Sequence, residues 1–259
     1  MRMLAVMNQK GGVGKTTTTM NLGHALARQG RRVLAIDLDP QAHLTAGLGA
    51  LRRNQPGVDV LMLGEASLED AVLTVRENLD LLPAGERLGE LEHLQDGGAR
   101  RGFLLRDALG EVADYDAILI DCPPSSGILG MNALLACREV LIPVAGDFFS
   151  LQGLARLMAI FTHIEETLKR EIHKWVVLTR FHARRRLARE VREKLLDHFP
   201  GQVLCTPIRE SVALAESPGF GQTIFEYQAR SNGALDYQAL ADDVWQRRTL
   251  SVEEMSHAG

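Results

Sequence analysis

Short apolar runs punctuate the chain, and each is separated from the next by enough residues for a helix. The runs are Met3–Met7, Val33–Ile36, Leu79–Leu82, Ala117–Ile120, Val140–Ile142, Trp175–Leu178 and the brief pair Val203–Leu204. Runs of four or five without polar alternation fit strands buried on both faces of a parallel sheet. Helical spacing fills the intervals at 16–29, 102–112, 127–137, 151–169, 185–198 and 231–247, the first of them closing at Gly30. This alternation predicts an α/β fold: a mostly parallel, twisted sheet with right-handed crossovers placing helices on both faces. Asn54–Gly57 and Gln95–Arg101 read as loops, and Ser251–Gly259 as a polar, frayed tail. With no internal repeat or linker in sight, the expectation is one domain over 1–250 followed by the tail 251–259.

The first strand runs into Gln9-Lys10-Gly11-Gly12-Val13-Gly14-Lys15-Thr16-Thr17, which then opens the first helix. Strand, glycine loop, GK[ST] and helix is the context of a phosphate loop. Glycines let backbone N–H groups converge on phosphate oxygens, and the helix N-terminus adds its positive dipole end. Lys15 is placed to reach β- and γ-phosphates, and the Thr16 hydroxyl to ligate Mg²⁺. Acids follow the strands at the same edge. Asp37 and Asp39 close the second run, two residues apart and so on one face of a strand. Asp121 closes the run Ala117–Ile120, well placed to hold Mg²⁺ through water.

The loop departs from the common G-x-x-x-x-G-K-[ST] pattern, with Gln9 at the first glycine position and a second lysine, Lys10, after it. In this K-G-G-x-G-K-T form it resembles the deviant Walker A motif of the ParA/MinD family of ATPases. Asp37-Leu38-Asp39-Pro40-Gln41 and Asp121-Cys122-Pro123-Pro124-Ser125 resemble that family's switch segments, and Leu63–Leu68, Asn78–Ala84 and Leu214–Pro218 are ParA-like as well. So is the spacing from Pro143-Val144 to Leu151–Leu154, and the resemblance spans about residues 1–247. It implies a single-domain P-loop NTPase using ATP and Mg²⁺. Lys10 would act in trans across an ATP-dependent sandwich homodimer, and Asp39 would position the attacking water with Asp37 nearer the metal and the loop. Pro207 and Arg209 would lie beside the adenine. The form is the short one, in which no helix-turn-helix domain is expected before the phosphate loop.

Composition narrows the class. A charged fraction of 24% and a hydrophobic fraction of 46% are ordinary for a globular protein, and a net charge of −4 confines any nucleic-acid surface to a local patch. Three scattered cysteines, Cys122, Cys137 and Cys205, form no C-x-x-C pair, which argues against a disulfide framework, a zinc site or a cluster. No signal peptide or membrane span is legible, so a cytoplasmic protein is expected; nucleoid association is what the resemblance implies. Lysine occurs only at 10, 15, 169, 174 and 194; the other basic residues are arginines, and they concentrate between Arg180 and Arg192. On a helix Arg185, Arg189 and Arg192 share one side, Leu187, Val191 and Leu195 another. With Arg184 and Arg186 this stripe suits phosphate contacts without base readout. The alternative is a solvated face paired to Glu190 and Glu193. Where the family often has Arg in V-R-L-[AS]-E, this chain has Ala213, which removes one expected phosphate contact.

The function these features imply is a positioning or partitioning ATPase. Its ATP-bound dimer binds double-stranded nucleoid DNA nonspecifically until a ParB-like or other cargo adaptor stimulates slow hydrolysis and release. Two alternatives stand beside it: a MinD-like membrane-cycling ATPase, disfavoured by Asp242-Asp243 in the C-terminal helix, and a partner-sequestering regulator that does not touch DNA. A ligase of the dethiobiotin or cobyrinate type fits the loop and D-x-D-P-Q less well.

Overall fold

The computed structural model describes residues 1–93, 98–110, 112, 114–125 and 127–250. Seven strands form one sheet: β1 (Arg2–Val6), β2 (Val33–Asp37), β3 (Leu73–Arg76), β4 (Leu79–Leu82), β5 (Ala117–Asp121), β6 (Glu139–Ala145) and β7 (His173–Thr179). Their order is β3-β4-β2-β5-β1-β6-β7, and every pairing is parallel except that of β3 with β4. β2, β5 and β6 are buried along their whole length, as their unbroken apolar runs require.

Twelve α-helices accompany the strands among the described residues. They are α1 (Lys15–Arg28), α2 (His43–Gly47), α3 (Val58–Met62), α4 (Leu68–Ala71), α5 (Leu88–His93), α6 (Leu104–Leu109), α7 (Ile128–Ala136), α8 (Phe148–Leu168), α9 (Arg186–His198), α10 (Val212–Glu216), α11 (Ile224–Tyr227) and α12 (Asn232–Gln246). Two apolar cores form. One holds Ile36, Ile118, Ile120, Leu129 and Phe161; the other holds Leu22, Leu26, Leu119, Tyr237 and Leu240. Alternate strand residues such as Ile118 and Leu119 thus feed opposite cores, as the pleat demands.

The topology brings the carboxyl ends of β1, β2, β5 and β6 together. β1 lies between β5 and β6, and Asp121 is the register partner of both Val6 and Asp37. The chain leaves β1 toward β2 on one side and leaves β5 toward β6 on the other, so a crevice opens at this edge.

The structure differs from the sequence reading in four places. Val203-Leu204 forms isolated bridges to Val176 and Thr249 rather than a strand. The edge strand β3 is an addition; its four residues, Leu73-Thr74-Val75-Arg76, include none fully buried, so no apolar run announces it. On α9 the buried positions are Ala188, Val191, Leu195 and Leu196, while Leu187 is 43% exposed. Leu187 therefore does not dock on the sheet, because Ala188 occupies the inward position one residue on. Of the loop expected at 95–101, residues 98–101 belong instead to a 3-10 helix (Gly98–Phe103), and 95–97 and the tail 251–259 lie outside the described residues.

Candidate nucleotide site

The segment between β1 and α1 is tied to β6 and to β7. Asn8 Nδ2 donates to Pro143 O at 2.8 Å, and Asn8 Oδ1 accepts from Lys10 N at 3.0 Å, tying the start of the loop to β6. Thr179 Oγ1, at the end of β7, donates to Val13 O at 2.7 Å. Gly12 and Gly14 take positive φ, +74° and +89°, which leaves the turn open to backbone donors in a way L side chains resist. Nothing lies within 4 Å of where a Cβ on Gly11 or Gly12 would be, so the loop faces free space. Gly14 precedes α1, whose first residue is Lys15.

Lys15 is buried, and its Nζ donates to Lys10 O at 3.3 Å. Burial lowers its pKa; the nearby charges of Asp121, Cys122 and Asp39 act against that. Thr16 Oγ1 donates to Asp121 Oδ2 at 2.7 Å, and Thr19 Oγ1 lies 3.2 Å from Asp121 Oδ1. Burial, reinforced by the charge of Asp37, pushes the Asp121 carboxyl up to about 8. Asp37 is also fully buried and is raised to about 6 by burial, against hydrogen bonds from Thr45 N and Thr45 Oγ1 at 2.8 and 2.7 Å.

Two cavities flank the loop. The first, of about 640 Å³, is lined by Gly11, Lys15, Thr16, Asp39, Pro124 and Pro218 among others. The second, of about 400 Å³, shares Gly12, Gly14 and Thr17 with it and extends to Thr179, Ile208 and Val212. Together they form a groove on both sides of the phosphate loop. Asp39 reaches the wall of this groove. Asp37 does not: Thr45 and the Asp39 N–H occupy its oxygens, so it orders the segment around Asp39 from behind. Lys10 forms an ion pair with Asp147 of the same chain.

The two residues expected beside the adenine stand at different places. Pro207 lines a neighbouring cavity of about 780 Å³ and is absent from the walls of the groove itself. Arg209 reaches both cavities, but its guanidinium is engaged by the buried carboxylate of Asp236 through Nε and Nη2 at 2.6–3.1 Å. Ile208, Val212 and Leu214 supply the apolar surface beside Thr179 instead. Asn8, Thr179, Thr19 and Tyr237 were not singled out by sequence. Tyr237 is buried, with its hydroxyl 3.2 Å from Thr18 Oγ1. Only the placement of Thr179 at the end of an apolar run gave a signal.

The oxygen donors suit a hard cation. Thr16 and Asp121 already share a hydrogen bond, and Asp39 stands at the cavity wall. Among the described residues no group of three His, Cys, Asp or Glu side chains forms a metal cage. A cation here must share its coordination with phosphate and water, as Mg²⁺ does.

The arginines of the basic stretch gather at the start of α9. Arg184, Arg185, Arg186 and Arg189 are exposed and Arg192 is half-buried. Several are paired: Arg185 with Glu210 at 3.3 Å and Arg186 with Glu190 at 2.7 Å. Arg189 Nη1 donates to Ala183 O at 3.1 Å.

Fold and loop define a P-loop nucleotide-binding protein. Comparison with known proteins narrows this. A family model described as an AAA domain matches residues 1–174. The chromosome partitioning protein ParA of Caulobacter vibrioides is 41% identical over 254 residues, covering 95% of each chain. The sporulation initiation inhibitor protein Soj of Bacillus subtilis is 39% identical over 247 residues, covering 94% of this chain and 98% of that one. Among solved structures, cobyrinic acid a,c-diamide synthase from Mycobacterium smegmatis with bound ADP and magnesium superposes with a TM-score of 0.81. It is 32% identical and covers 96% of this chain and 98% of that one. The chain belongs to the ParA/Soj branch of the ParA/MinD family of P-loop ATPases.

Proposed function

We propose that this chain is a cytoplasmic positioning ATPase whose ATP-bound sandwich dimer binds nucleoid DNA without sequence preference. A cargo-bound adaptor of the ParB kind would stimulate hydrolysis and so release the dimer. The observation that carries this reading is the convergence of Lys15, Thr16 and Asp39 on one open cavity directly before α1.

The Gly11–Thr17 backbone and the α1 N-terminus receive the phosphates. Lys15, already desolvated, neutralises the β- and γ-phosphate charge without first being stripped of water. Thr16 and, through water, Asp121 would hold Mg²⁺, whose chemistry when bound is to polarise the phosphate oxygens. Asp39 orients the attacking water at the cavity wall, and its frame is fixed by Asp37 and Thr45. Lys10 leaves Asp147 and reaches the phosphates of the second protomer. The base lies against Ile208, Val212 and Leu214. A slow cycle suits the task, because the lifetime of the ATP state sets how long the dimer stays on DNA.

Arginines at the start of α9 supply the DNA surface. The test is binding of the full chain to an arbitrary duplex with ATP, with ADP and without nucleotide, across a salt titration. If Arg184, Arg185, Arg186 and Arg189 of both protomers each neutralise one phosphate, the slope of log K against log salt is about −7. Binding in ATP alone with a steep slope and no sequence preference supports the reading. ATP binding with no DNA binding in any state would favour the partner-sequestering alternative. The membrane-cycling alternative finds less support, because α12 uses its apolar residues Tyr237, Leu240, Ala241 and Val244 in the core.

A further inference from the structure

Two stretches distant in sequence form facing walls of the cavity beside Asp39. One is α2, through His43, Ala46 and Gly47; the other is the 3-10 turn Ser217–Phe220, through Pro218 and Gly219. They meet almost backbone to backbone. A Cβ on Gly47 would lie 3.4 Å from Pro218 Cβ, and one on Gly221 would lie 2.9 Å from Gly49 Cα. Where Gly49 meets Gly221 the join has no side chain of either residue to hold it.

Arg76, the last residue of β3, closes it. Its Nη1 donates to Leu48 O at 2.8 Å, just after α2, and its Nη2 donates to Gly221 O at 2.8 Å, just after the turn. Nε and Nη2 also donate to the Glu226 carboxylate at 3.0–3.2 Å. The Arg76 side chain is only 14% exposed. Glu226 accepts from Thr223 N at 2.8 Å, and Thr223 Oγ1 lies 2.6 Å from His24 Nδ1 on α1. Ile224 N donates to Asn21 Oδ1 at 2.8 Å, and Asn21 Nδ2 donates to Thr17 O at 2.8 Å. An unbroken set of bonds therefore runs from the phosphate loop through α1 and Thr223 to Arg76, and from there to both walls.

We propose that Arg76 is a positioning residue for nucleotide binding: it sets the separation of the two cavity walls through Leu48 and Gly221 without touching the nucleotide. The inference rests on the cavity being the nucleotide site. A guanidinium presents five donors in a rigid fork, which is what serving a carboxylate and two carbonyls at once requires; a lysine ammonium in the same place cannot span all three. Losing the fork leaves the walls free to separate. Only the fraction of molecules with the walls correctly placed then binds, and the apparent Kd rises by the inverse of that fraction.

The experiment compares full-length wild type, Arg76→Lys, Arg76→Gln and, as a control far from the cavity, Glu139→Gln. Glu139 pairs with Arg2 and accepts from Trp175 Nε1 at 2.8 Å, so its loss lowers stability without reaching the site. ADP and ATP affinity, the KM and kcat of ATP hydrolysis and thermal unfolding are measured for each. The expected result is a Kd and KM raised about tenfold in both Arg76 variants, with kcat at saturation within about threefold of wild type. Glu139→Gln should lower the melting temperature and leave Kd within about twofold. Should Arg76→Lys not fold, Arg76→Gln carries the comparison; should neither fold, amide exchange in the wild type decides. There, ADP must protect 44–48 and 219–221 together, and independent protection would overturn the proposal. Unchanged Kd in folded Arg76 variants, or an equal loss in the control, also overturns it. Failure of the wild type to bind either nucleotide removes the nucleotide reading and this inference together, and so is distinguishable from failure of Arg76 alone.

Discussion

His24 offers a test of the framework behind the site that needs no nucleotide. It sits on α1 with only 8% of its surface exposed, edge-on to Phe225 at 5.5 Å, with Nδ1 against Thr223. Burial lowers its pKa from 6.5 to about 4; Glu226 pulls the other way, and Arg76 and Arg28 add to the lowering. The folded protein therefore keeps His24 neutral where the unfolded chain binds a proton. Stability from this group is complete above pH 6.5 and is lost as pH falls from there toward 4. At pH 5 the unfolded imidazole is almost fully charged and the folded one almost fully neutral, which costs about 2 kcal/mol relative to pH 7.5. Urea unfolding of wild type and His24→Gln at pH 7.5 and pH 5.0 isolates most of the term, because groups that do not interact with His24 titrate alike in both proteins. Wild type should lose about 2 kcal/mol more than the variant over that interval. Parallel losses would mean that His24 is accessible to protons in the folded state, and that the link between α1 and Thr223 is not closed as described.

Other expectations bear on the chemistry and the fold. Asp39→Ala should bind ATP with an affinity near wild type and lower hydrolysis at least a hundredfold, measured as phosphate release; wild-type turnover would remove Asp39 from the mechanism. Arg185→Glu with Arg189→Glu should weaken duplex binding at least tenfold and leave ATP affinity intact, and unchanged DNA affinity would return these arginines to a solvated face. Gly85→Ala should destabilise by about 2–4 kcal/mol in urea unfolding. Its Cβ would fall 1.6 Å from Asp59 Oδ1, whose carboxylate accepts from Val60 N and Arg87 N. Chelation of Mg²⁺ should weaken ATP binding more than tenfold, measured by equilibrium titration with and without EDTA, and equal affinities would contradict the assignment of Thr16 and Asp121.

What the sequence makes legible is what depends on local pattern. Six of the seven strands follow from apolar runs, because a strand buried on both faces has no choice but to be apolar. β3 escapes because an edge strand of four half-buried residues has no such constraint. Lys15, Thr16 and Asp121 are legible because the glycine loop and the strand end each carry a local signature. Strand spacing alone puts Asp37 and Asp39 on one face, and only the hydrogen bonds from Thr45 decide that Asp37 turns inward, whereas the resemblance places it nearer the metal. Arg209 likewise looks free to meet a ligand until α12 brings Asp236 to it, 27 residues later in the chain.

The charge inventory at the loop explains why these assignments belong together. Asp37, Asp39 and Asp121 crowd one corner of the sheet edge, and Lys15 is the buried ammonium that faces them. Two of the three carboxyls are raised well above their ordinary range by burial, and Asp121 further by Asp37, so the corner already resists negative charge. A nucleotide triphosphate brings more of it. Backbone N–H groups at Gly11–Thr17 and the dipole of α1 offset part, since each offers only partial charge. The remainder must come from cations that arrive with the ligand or from elsewhere. On the proposed reading Mg²⁺ would supply one, at the Thr16 and Asp121 end. Lys10 is another source, and Asp147 pairs with it within its own protomer. On the proposed function, a site arranged this way would bind its nucleotide fully only with a divalent cation and a repositioned lysine both in place. Such a requirement would make ATP binding a conditional event, which is what the proposed positioning cycle needs in order to switch.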